Sequence, residues 1–131
     1  MGPEPRVVWL VRPDDPEAAR GRLSVERHTL TFTGEGEDEP LPIPLNRVRR
    51  VRRRRGAPIL EVEYTDARAE LSRVFLFFVE PPPLPRRGGR TWILPTRGME
   101  RAASAVSLGA AAKLLRSEID VWVDAIRGAG G

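Results

Sequence analysis

The chain contains no cysteine. That absence excludes disulfides, thiolate metal sites and thiol catalysis, and it points to a reducing, cytoplasmic setting. Histidine is nearly missing too: His28 stands alone. Without a second histidine only carboxylates would be left to complete a metal site, so His28, in a short polar link, reads as an exposed turn residue. Lysine is represented by Lys113 alone among 22 basic residues. Arginine forks suit phosphate and carboxylate, although arginine, alanine, glycine and proline abundant together also fit GC-rich codon usage. No apolar run is long. Val7–Val11 and Val74–Val79 fall far short of the ~20 residues that cross a bilayer. The start, Met1-Gly2-Pro3-Glu4-Pro5-Arg6, lacks the pattern of a signal peptide or a myristoylation site. The expectation is a soluble cytoplasmic protein, peripheral to a membrane at most.

Catalytic signatures are also missing. There is no Gly-x-Ser-x-Gly elbow. Gly34-Glu35-Gly36 lies among acids and is no cradle for a phosphate. The carboxylate pairs Asp14/Asp15 and Asp38/Glu39 fall in polar loops, where nothing buries them for acid–base work. The sequence therefore predicts a non-catalytic protein with no cofactor and no metal.

What is present is one domain's worth of chain, residues 1–131. Charge is unevenly placed. Residues 1–45 carry five arginines and nine acids, net −4, while 46–131 carry 17 basic groups and nine acids, net +8. An anionic partner fits that asymmetry. Val7–Val11 reads as a β-branched strand stopped by Arg12-Pro13, and Asp14–Glu17 as a polar turn. Gly21–Glu26 and Thr29–Thr33 alternate on either side of Arg27-His28, a hairpin. Leu41–Leu45 alternates with Pro42 and Pro44 outward, which confines it to an edge. Val48 and Val51 are three apart, a bulge or half-turn after Asn46. Ile59–Thr65 and Leu71–Val79 follow, the latter apolar on both faces.

Strands are thus expected over about 7–79 and at 92–94, with a proline-rich connection at 80–98. Within it, Pro81–Arg87 resembles a polyproline ligand but reads first as a rigid connector. A helix follows over about 100–127. Leu108, Leu115, Ile119, Trp122 and Ile126 form its apolar stripe, Ser107 is a possible cap beside the weak point Gly109, and Arg127-Gly128 is a favourable end.

Seven antiparallel strands and a closing helix with an inward tryptophan resemble the pleckstrin-homology superfold, including its GRAM-like bacterial variants. The resemblance rests on Gly21–Val25, Leu30–Phe32, Ile43–Val48 and Glu118–Ile126 and covers about Val7 to Arg127. It implies a mainly β barrel or sandwich of about seven antiparallel strands capped by a C-terminal amphipathic helix. In that family, phosphoinositide binders use basic residues between the first two strands. Arg12, Arg20 and Arg22 match the spacing, with Asp14, Asp15 and Glu17 against them.

The densest basic run is Arg47, Arg49, Arg50 and Arg52–Arg55. Closing a hairpin on Arg55–Pro58 sets Val51 against Val62, Arg52 against Glu61 and Arg50 against Glu63, exposed cross-strand ion pairs. Arg47, Arg49, Arg53, Arg54 and Arg55 are then left unpaired around the turn, a candidate anion or lipid site. Nucleic acid is disfavoured because no aromatic is interleaved for stacking. The leading expectation is an adaptor for a protein partner or an anionic phospholipid surface. The alternatives are a homo-oligomer pairing through Val74, Leu76 and Phe78, a small-ligand carrier or enzyme with a pocket in the barrel, and a weak nucleic-acid binder.

Overall fold

The β-branched run near the N-terminus becomes β1 (Arg6–Arg12) of a computed structural model that describes residues 3–36, 39–81, 86–87, 91–92 and 103–130. β2 (Asp15–Glu26) and β3 (Thr29–Gly34) form the expected hairpin, with Glu26 opposite Thr29 across Arg27-His28. β4 (Leu41–Pro44) leads through a 3-10 turn, Leu45–Arg47, into β5 (Val48–Arg53). β6 (Ile59–Thr65) and β7 (Leu71–Phe77) complete a seven-stranded antiparallel sheet in the order β4-β3-β2-β1-β7-β6-β5. The helix α1 (Ala103–Gly130) ends the described chain. The protein is mainly β, one sheet of seven strands with a C-terminal helix.

The prolines act as their chemistry requires. Pro42 and Pro44 lie on β4, at the outer edge of the sheet, where a missing N–H breaks no ladder. Register shifts between Val48 and Arg50, at the predicted bulge. The register beyond is the one charge and hydropathy predict: Arg50 faces Glu63, Val51 faces Val62 and Arg52 faces Glu61. Gly21 sits where a Cβ would come within 2.4 Å of the Thr33 carbonyl and 2.6 Å of the Phe32 ring, so the Phe32 side chain lies flush on the backbone of β2.

Several expectations need correction. Residues 15–17 are strand rather than turn, because β2 begins at Asp15 and the turn is confined to Pro13-Asp14. The helix runs through Ser107 and Gly109 from Ala103 and continues past Gly128 to Gly130, so neither end is capped where predicted. Trp92 does belong to a strand, but β9 (Thr91–Trp92) pairs with β8 (Arg86–Arg87) in a second, two-stranded sheet. Pro82–Pro85 and Ile93-Leu94 lie outside the described residues.

The faces of β7 are divided in a way that removes the dimer expectation. Val74, Leu76 and Phe78 are 0%, 1% and 2% exposed and lie in the main core with Ile119, Trp122 and Ile126 of α1. A second copy cannot reach them. Phe75 and Phe77 form a smaller cluster with Val11, Ala57 and Ile59 on the opposite face. The main core is anchored by Trp122, whose ring meets Phe78 edge-on at 6.5 Å and 77°. Burying Ile119, Trp122 and Ile126 contributes about 1.5–3 kcal/mol for each apolar side chain removed from water, which is what fastens the helix. Among the described residues no helix is long and apolar enough to cross a membrane.

Candidate anion-binding groove

Eight arginines were candidates, and the sheet separates them. Arg12 lies opposite Asp15, Arg20 opposite Trp9 and Arg22 opposite Val7. With β2 extended from Asp15, these three are spread along strands, about 3.3 Å per residue, instead of converging in one loop. Arg20 is engaged by Glu35 at 3.5 Å and stacks 5.7 Å above the Trp9 ring. The three therefore do not share the β1–β2 loop.

The cluster expected around the Arg55–Pro58 turn is broken up as well. Arg53 Nε donates to Asp120 Oδ1 on α1 at 3.0 Å. Arg54 Nη1 donates to Glu61 Oε1 at 2.9 Å. Arg47, before β5, and Arg55, after it, lie at opposite ends of a strand that spans roughly 17 Å at strand rise. Glu61 is not the exposed partner foreseen for Arg52: it is 2% exposed. The ion pair foreseen for Glu63 forms with Arg73 of β7, Nη2 to Oε2 at 3.5 Å, although Arg50 stands directly across from it.

Much of the arginine instead holds α1. Arg6 Nε donates to Glu118 at 2.7 Å, and its Nη1 donates to the Val7 and Phe78 carbonyls at 2.7 and 3.0 Å. The same guanidinium lies 4.8 Å over the Phe78 ring. Arg127 Nη2 donates to the Val51 carbonyl at 2.9 Å, on β5, which among the described residues has a strand partner on one side only. Arg6, Arg53 and Arg127 therefore clamp the helix at three points along its length.

The clamp leaves a groove. Between the 3-10 turn, β5 and the last turns of α1 lies a cavity of about 300 Å³. Leu45, Val48, Val51 and Ile126 give it an apolar floor, and Arg49, Arg50 and Arg127 form its rim. Arg49 is oriented by donating from Nε to Thr65 Oγ1 at 3.0 Å. Arg50 is exposed and has no hydrogen bond or ion pair among the described residues, and the same holds for Arg47 in the 3-10 turn. Of the sequence candidates, Arg49 is at this groove. Arg127 was missed, because its 76-residue separation from Val51 leaves no local signal. His28 is exposed in its hairpin turn, as expected.

Comparison of the chain with known protein families, with curated proteins and with solved structures found no match.

Proposed function

We propose that this chain is a non-catalytic binding module of the pleckstrin-homology type that seats an acidic, partly apolar segment of a protein partner in the groove beside β5. The observation that carries the reading is one concave surface with an apolar floor of Leu45, Val48, Val51 and Ile126 beneath the guanidinium groups of Arg49, Arg50 and Arg127. Such a site rewards a ligand that brings both carboxylates and aliphatic carbon. The seven-stranded sheet, the closing helix and the inward Trp122 support the family resemblance. A protein segment is favoured over a membrane surface because the apolar floor is recessed, where a flat bilayer does not enter.

A synthetic peptide alternating glutamate and leucine tests this. It should bind at 0.05 M salt and be released at 0.5 M, as the Debye length falls from roughly 14 to 4 Å. Arg49→Gln with Arg50→Gln should abolish binding with little change in unfolding, and Arg22→Gln should not. Retention on phosphatidylserine vesicles without peptide binding would replace the protein segment by a membrane surface. Binding to neither would make the basic run a solvated edge.

A further inference from the structure

A second group of arginines lies on the outer face of β5–β6–β7, sharing only Arg50 with the groove, and is arranged around a buried carboxylate. Residues 50, 52 and 54 alternate to that face, opposite Glu63, Glu61 and Ile59. Glu61 is 2% exposed and is surrounded by three guanidinium groups. Arg54 Nη1 is 2.9 Å from its Oε1, Arg52 Nε is 3.3 Å from Oε2, and Arg73 Nε is 3.9 Å from Oε2. Arg52 Nη2 donates to Oε1 at 3.5 Å, but its Nε contact has the distance of an ion pair without the alignment of a hydrogen bond, which leaves that buried Nε–H unpartnered.

The group is overcharged. Arg50, Arg52, Arg54 and Arg73 bring four positive charges, and Glu61 and Glu63 bring two negative ones. A carboxylate this deep requires compensation, but one well-placed arginine would provide it. Three cations gathered on one buried anion repel each other, and a further anion on the solvent side would relieve that repulsion. Their reach to solvent is open: the side chains of Arg52, Arg54 and Arg73 are 40%, 32% and 45% exposed. Three guanidinium groups carry about fifteen N–H donors, and Glu61 takes few of them. Arg54 is steadied further by lying 6.0 Å over the Phe75 ring.

We infer that Arg52, Arg54 and Arg73, held in place from beneath by Glu61, form a binding site for a phosphate-type oxyanion. Glu61 acts as a positioning residue: it aligns the forks, and the tetrahedral anion takes their outward donors in charge-assisted, paired hydrogen bonds. The site uses none of the groove-lining residues except Arg50 at its margin, so it stands or falls apart from the proposed peptide groove.

The test exploits a reversal of sign. Inorganic phosphate is titrated into the folded protein at constant ionic strength against chloride, and binding is read by calorimetry and by the arginine Nε–H resonances. Glu61→Gln raises the formal net charge from +4 to +5. Charge alone would make phosphate bind more tightly to that variant. The positioning role makes it bind more weakly, by about tenfold, the scale of loss when a group orienting a charged site is removed. Glu63→Gln makes the same charge change and, among the described residues, Glu63 forms its ion pair with Arg73, so this variant should retain binding. Should Glu61→Gln not fold, Arg54→Lys keeps the charge and removes the fork, and it should weaken binding similarly. Retention on phosphatidic-acid vesicles that is lost with Glu61→Gln would assign the phosphate to a lipid headgroup, and binding of free phosphate alone to a soluble ester. Wild-type protein indifferent to phosphate, or Glu61→Gln or Arg54→Lys binding it as tightly as wild type, would overturn the site.

Discussion

Arg53 and Asp120 meet at 3.0 Å, and that bond joins the edge strand β5 to the helix that closes the sheet. The two residues are 67 positions apart. An arginine that the local sequence offers as a phosphate ligand is thus spent on tertiary structure. Replacing Arg53 by Gln should destabilise the fold by a few tenths to about 1 kcal/mol, since the pair is partly exposed. A double-mutant cycle with Asp120→Asn, followed by urea unfolding, should recover that coupling and lose much of it in 1 M salt. Additive effects of the two changes would show that this pair contributes nothing to holding the helix.

Trp122 carries a far larger share. It is almost fully buried and meets Phe78 across the core. Trp122→Ala should cost about 3–5 kcal/mol by leaving a cavity. Leu114→Ala, on the same helix but 83% exposed, should change the urea midpoint hardly at all. Similar losses in the two variants would contradict the orientation of α1.

Much of this architecture is legible in the sequence because each feature is written within a few residues. Pro42 and Pro44 exclude an inner strand, and the alternation of Val51 with Arg50 and Arg52 against Val62 with Glu61 and Glu63 allows one register. Trp122 recurs with Ile119 and Ile126 at helical spacing. The start of β2 is not legible, since Glu17-Ala18-Ala19 has no β-branched residue and falls where the register to β1 shifts. Nor is the fate of the arginines. Each of Arg6, Arg53 and Arg127 finds its partner more than 60 residues away, and local pattern is silent on such pairs. The same limit explains Glu61, whose burial depends on Arg73 and Phe75 from the next strand.

The β6–β7 turn introduces a dependence on pH. Asp66 Oδ1 accepts from the backbone N–H groups of Glu70 and Arg68 at 3.0 and 2.9 Å, and Oδ2 accepts from the Ser72 hydroxyl at 3.1 Å. The bond from the Glu70 N–H does most to hold the Asp66 carboxyl below its ordinary value; desolvation opposes it, and the bonds from Arg68 and Ser72 add smaller contributions that keep the net direction downward. A carboxyl whose folded value is lowered adds stability that is complete above the ordinary carboxylate range and fades as pH falls through the lowered one. Asp66→Asn should therefore destabilise the protein at pH 7 and converge with wild type in strong acid. A difference in urea midpoint that persists unchanged down to pH 2 would exclude the carboxylate as its source.

The β2–β3 turn should respond in the opposite direction, becoming more stable on substitution. Arg27 and His28 have φ of 49° and 65°, so both central residues of this two-residue hairpin turn are left-handed. That geometry suits the twist of the strands but disfavours side chains other than Asn, Asp and Gly. Both side chains are exposed, and neither has a hydrogen bond or ion pair among the described residues. The one tie to the turn uses backbone: the Leu45 N–H donates to the His28 carbonyl at 2.9 Å, and any residue at 28 preserves it. Replacing Arg27-His28 by Asn-Gly should relieve the strain and gain about 1 kcal/mol, after the extra freedom glycine adds to the unfolded chain. Val-Val at the same positions should lose more than that, because β-branched residues are poorest at positive φ. Both changes leave the groove residues and the Glu61 cluster untouched, so peptide and phosphate binding should be unaltered at temperatures where the variants are folded. Equal stability of the Asn-Gly and Val-Val proteins would show that the turn does not hold its left-handed form in solution.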